Sequence, residues 1–147
     1  MPAEILAPAA VLVAWTLVMQ LWMTVTRFPA LAVAEVDLKT AKPGGRGQDL
    51  EGILPDKVMW KSHNYAHLME QPTVFYPLVA IFAILGATEG DIVLAWAYVG
   101  IRIVHSLWQA LVNRIPVRVA LFAIGSAVLI ALAIRALFVT LAPVLAA

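Results

Sequence analysis

Two polar triplets stand out in an otherwise apolar chain: His63, His67 and Glu70, and Arg102, His105 and Gln109. Spacings of four and three, then three and four, place each triplet along one face of a helix. Ionisable groups in hydrocarbon are costly, so each needs a partner and marks a candidate site. Glu70 and Arg102 could form a structural ion pair, or line a polar cavity in which the guanidinium also holds an anion. The pair alone leaves four further polar groups on the same faces unexplained, which favours the cavity. Arg114 and Arg118 flank Pro116. They read either as a turn whose arginines meet lipid phosphates or as two guanidinium forks at the cavity mouth. His63, His67, Glu70 and His105 could together offer nitrogen and oxygen ligands to zinc or non-haem iron. Arg102 would repel such a cation and compete for Glu70, so no metal is expected.

These residues must be carried by membrane helices. Of the 147 residues, 63% are hydrophobic and 13% charged, and mean hydropathy is +0.90, leaving too few charges to cover a water-facing surface. The length suits one domain of four spans, at roughly 20 apolar residues each. A net charge of +1 argues against an electrostatic nucleic-acid binder, and the absence of cysteine removes disulfides, thiolate metal sites and cysteine catalysis. The spans are expected at about 5–28, 58–86, 92–113 and 119–142, with a polar loop at about 29–57 centred on Pro43, Gly44 and Gly45. Pro72 and Pro77 should bend the second span. Ala32, Val33 and Ala34 resemble a signal-cleavage site. Glu4 in place of a basic leader, together with a long apolar stretch, predicts that the segment is retained as a helix. Trp60 and Trp96 fall near the expected membrane interfaces.

Lys and Arg concentrate on the loop and on the turn between the third and fourth spans, whereas Glu4, Glu89 and Asp91 fall on the opposite side. The positive-inside bias then places the loop in the cytoplasm and both termini in the periplasm or an organelle lumen. For two consecutive antiparallel helices, residues at equal depth have position numbers of constant sum. That register predicts three layers: His63 with Gln109, His67 with His105, and Glu70 with Arg102.

Arg102 and His105, followed by Arg114, Pro116 and Arg118, and preceded on the second helix by Glu70, Pro72 and Phe75, resemble the MAPEG family, the membrane-associated proteins in eicosanoid and glutathione metabolism. Good similarity covers about residues 58–125. The resemblance implies a homotrimer of four-helix subunits in the lipid bilayer. Glutathione would bind between subunits on the cytoplasmic half, for transferase, peroxidase or isomerase chemistry on a lipophilic small molecule. It implies Glu70, Arg102 and His105 as pocket residues; His63, His67 and Gln109, on the same helix faces, are expected as further ligand contacts. Arg114 and Arg118 would stabilise the thiolate, since a nearby cation favours the ionised thiol. His67 stands where the family usually has Asn, Ala66 where it has a basic residue, and Gln109 where it has Tyr. These departures keep open an altered ligand, or a non-catalytic accessory or lipid-binding subunit. His67 beside His105 would also suit a proton shuttle.

Overall fold

Long runs of Leu, Val, Ile and Ala with no charge can satisfy their backbone in hydrocarbon only by closing on themselves, so each forms a helix. The computed structural model describes residues 2–37 and 39–145, and among these it contains no named strand. Its helices are α1 (Pro2–Val33), α2 (Asp56–Glu70), α3 (Pro72–Leu85), α4 (Glu89–Leu111) and α5 (Ile115–Leu145), with a short 3-10 turn at Gly47–Leu50. Four segments are long and apolar enough to span a membrane: Ala3–Val33, Asp56–Leu85, Glu89–Leu111 and Ile115–Leu145. The protein is thus an all-α, four-span bundle. At about 1.5 Å rise per residue, α1 and α5 exceed the ~30 Å hydrocarbon core and project beyond it.

The second span is made of two helices. Gln71 keeps helical angles (φ −62°, ψ −43°), but Pro72 has no amide to donate back to Leu68, so the helix is interrupted there. Pro77 lies inside α3. The first span runs past Arg27 and Pro29 to Val33, further than its charge-free stretch indicated. The connection to α2 is correspondingly shorter. Arg27 ties this connection to the bundle by donating from Nη2 to the Gly47 carbonyl (3.0 Å). A Cβ at position 47 would stand 2.9 Å from that nitrogen, so a larger residue there would push the end of the Arg27 side chain aside.

Helix α1 packs on α2, α3 and α4, while α5 packs on α4 and α3. The common core contains Leu12, Met19, Phe75, Phe82, Tyr98 and Leu132. The Phe75 and Tyr98 rings lie 4.7 Å apart at 33°. Outward residues such as Leu21, Val25, Ile130 and Phe138 remain exposed, as expected for surfaces that face lipid.

Away from the loop, Gly86 ends α3 with φ +100°, and Thr88 opens α4 through a capping box with Asp91. Asp91 is fully buried. It accepts from Arg135 Nε (2.6 Å) and Nη2 (3.1 Å) on α5, so one carboxylate both caps α4 and docks α5. Asp91→Ala removes both functions. It should cost about 1–2 kcal/mol and lower the melting temperature of detergent-purified protein, whereas Glu89→Ala, exposed in the same turn, should leave it nearly unchanged. Thermal melting of the two variants side by side checks this.

Candidate functional site

The buried stripe of the second span is Asn64, Leu68, Pro72 and Phe75, with Gln71 half-buried beside it. This face turns toward α4, and His67 stands on its flank. On α4 the buried residues include Arg102, His105, Ser106 and Gln109. Ser106 Oγ accepts from Trp15 Nε1 (3.1 Å) and from Asn64 Nδ2 (2.8 Å), so one hydroxyl joins α1, α2 and α4.

Arg102 is 1% exposed. Its Nη2 donates to the His67 carbonyl (3.2 Å) and to His67 Nδ1 (3.1 Å), and its Nη1 to Gln71 Oε1 (3.3 Å). Gln71 in turn donates to Ser126 Oγ on α5 (2.7 Å), so the interrupted span is gripped by the two helices facing it. Guanidinium only donates, so the shared bond makes His67 Nδ1 an acceptor and leaves the ring proton on Nε2. No carboxylate of a described residue lies within ion-pair distance of Arg102.

The expected layers are therefore realised unevenly. His67 and His105 do meet, stacked with centroids 4.9 Å apart. Glu70 does not pair with Arg102: it is exposed, and Gln71 and His67 take the guanidinium instead. The cause is rotational. The face of α2 turned toward α4 is centred on Asn64 and Leu68, which carries Gln71 inward and Glu70 outward. His63 and Gln109 lie at the same level without bonding each other. His63 Nε2 sits 2.9 Å from Glu51 Oε1 on the loop, and Gln109 Oε1 is buried without a partner.

His63, His67, His105 and Gln109 line one cavity of about 400 Å3, together with Arg118, Val119 and Phe122 of α5. That volume falls in the range of small-molecule sites, ~300–1,000 Å3. The cavity lies at the end of the bundle that carries the 34–55 connection and the α4–α5 turn. Asn113 in that turn adopts φ +53°, closes α4 through its amide to the Trp108 carbonyl (2.7 Å), and accepts from Arg118 Nη1 (2.8 Å). The residue that ends α4 thus also sets Arg118 against the cavity wall. Arg114 is exposed, outside the lining; its carbonyl accepts from Trp108 Nε1 (3.2 Å). Among the described residues, no three His, Asp or Glu side chains are grouped to hold a metal ion. His63 is turned to Glu51, and the two ring faces of His67 and His105 are stacked.

A four-span bundle with buried Arg102 and His105 on its third span, and an Arg-x-Pro exit at Arg114 and Pro116, has the architecture the sequence resemblance implied. A family model described as the MAPEG family matches residues 5–138. The chain belongs to the MAPEG family. In the same comparisons, neither the curated proteins nor the solved structures gave a significant match.

In this MAPEG chain, sequence reasoning missed Asn64, Gln71, Ser106, Trp15 and Phe122. Asn64 and Ser106 carry the same signal as the histidines, a polar side chain within an apolar span. Gln71 was signalled by its place before a helix-breaking proline. Phe122 carries no signal, since an aromatic on a lipid-bound helix is ordinary; here its ring packs 5.5 Å from His67. Ser106→Ala strands the buried Asn64 amide and the Trp15 indole. It should destabilise the bundle by about 2 kcal/mol. Combining it with Asn64→Leu should cost clearly less than the sum of the single changes, because the second removes the orphan donor created by the first. A double-mutant cycle by thermal or denaturant unfolding checks this coupling.

Proposed function

We propose that this MAPEG protein is a membrane enzyme that uses glutathione or a related thiol to attack lipophilic electrophiles, by conjugation or peroxide reduction. The observation that carries this reading is the loop-end cavity, whose lining residues include one guanidinium, three imidazoles and the Gln109 amide. Gln109 Oε1 and His105 Nδ1 are buried without partners, and Arg102 is a buried cation without a carboxylate. A peptide thiol with two carboxylates and several amide donors supplies what these groups lack.

In this reading Arg102, His67 and His105 organise the pocket floor, and Gln109 and His63 contact the ligand. Arg118, held by Asn113 at the wall, stabilises the sulfur as its proton leaves. The thiolate then forms a bond to the electrophilic atom while the leaving group departs with the bonding pair. Positive charge around the loop end supports a cytoplasmic side for this half, with both termini in the periplasm or a lumen. Exposed Glu70 is available to a neighbouring copy, in keeping with a homotrimer whose sites lie between subunits. A second reading, a non-catalytic accessory or lipid-binding subunit, is favoured by His67, Ala66 and Gln109 standing where the family usually has Asn, a basic residue and Tyr. Co-purification in fixed ratio with a larger complex, without thiol transferase activity, would support it.

Millimolar glutathione should raise the melting temperature of detergent-purified protein, and Arg102→Ala should abolish the shift. No shift in the parent protein would remove the thiol-dependent reading. Since Arg102 also holds the fold, Arg118→Ala is the cleaner variant. It should keep the shift and lower kcat by roughly 100-fold, whereas Arg114→Ala should change the rate little.

A further inference from the structure

We propose that His63, oriented by Glu51, is the base that removes the thiol proton; this rests on the thiol-dependent reading above. Three histidines line the cavity, and their hydrogen bonds assign them different capacities. His67 Nδ1 already accepts from Arg102, and its Nε2 carries the ring proton, so it has no free lone pair. His105 is 1% exposed and stacked on His67, beside the Arg102 cation, where a second positive charge would have no water to receive its proton.

His63 differs in each respect. Its Nε2 faces the Glu51 carboxylate at 2.9 Å. An ionised carboxylate only accepts, so the ring proton lies on Nε2 and the lone pair on Nδ1. This is the histidine–carboxylate arrangement in which the acid fixes the tautomer and stabilises the imidazolium that forms. His63 is also part of two cavity walls. On one side are His67, His105 and Arg118; on the other is a second cavity of about 400 Å3 lined by Arg27, Arg46 and Tyr65. The facing charged groups other than Glu51 are cations, so Glu51 supplies the negative charge that an imidazolium at His63 needs. Both His63 and Glu51 reach solvent, with side chains 38% and 57% exposed. A proton taken on the ligand side can therefore leave on the loop side.

The step balances simply. The S–H bond breaks, its electron pair stays on sulfur, and the proton passes to His63 Nδ1. The thiolate forms a bond to the electrophilic carbon, the leaving group departs with its pair, and His63 returns its proton to water. Glu51 does not touch the ligand and is a positioning residue. It is carried by the strap that Arg27 pins at Gly47, so the 47–51 stretch becomes part of the site.

The test measures the pH dependence of kcat for conjugation of a chlorinated nitroaromatic by full-length protein in detergent, alongside the melting shift given by glutathione. His63→Gln should retain the shift, lose the pH-dependent rising limb and lower kcat by roughly 100-fold. Glu51→Gln, on the exposed loop, should also retain the shift while displacing the limb and lowering kcat by roughly tenfold. A strap with only a structural role would move stability or KM and leave the limb in place. An unchanged limb in His63→Gln, with the shift retained, overturns the proposal while the thiol-dependent reading survives. Absence of any shift in the parent protein overturns both.

Discussion

A guanidinium sealed inside a membrane bundle governs the arrangement around it. Arg102 is 1% exposed and remains charged, so its donors must be met by the protein or by a ligand. The protein meets them at the break before Pro72, where the His67 carbonyl, His67 Nδ1 and Gln71 Oε1 are all presented to one fork. Pro72 leaves the Leu68 carbonyl without its helical donor, and Arg102 takes the carbonyl of the preceding residue, His67, so the cation sits where the span is interrupted. The grip fixes the rotation of α2 relative to α4, and that rotation in turn decides which histidine faces where.

The four spans were legible because apolar length is a strong signal, and the depth of the His67–His105 layer followed from helical rise alone. Rotation about the helix axis was not legible to the same precision. Glu70 and Gln71 are adjacent in the chain, and a helix turns about 100° between them, enough to exchange a buried position for an exposed one. The charge complementarity of Glu70 with Arg102 favoured the pair, but apolar packing around Leu68 and Phe75 outweighed it. The separation of Arg114 from Arg118 was equally hidden. It depends on the left-handed angle at Asn113, a turn conformation that Asn tolerates without requiring it. Glu51 lay in a polar loop where nothing in the spacing linked it to His63, twelve residues on.

The cavity also shows how identical side chains acquire different chemistry from their surroundings. One histidine accepts from a guanidinium, one stacks in a dry layer, and one donates to a carboxylate near water. Residue type alone offered three equivalent imidazoles. Their hydrogen bonds separate a structural acceptor, a buried ring with an unpartnered nitrogen and a group with an available lone pair.

Arg102 and Arg135, both within the spans, make the same point at larger scale. Arg135 meets Asp91 through two nitrogens, and the same carboxylate closes the start of α4, so this pair is electrically complete. Arg102 meets only neutral acceptors, and its Nε is buried without a partner. A buried ion pair needs nothing further, but a buried cation with neutral partners retains its attraction for an anion and a desolvation cost that an anion would offset. Charge within the membrane is therefore an uncertain guide to a site until its partner is known. Among the described residues Arg135 has its carboxylate and Arg102 has none, so of the two it is Arg102 that retains an attraction for an anion.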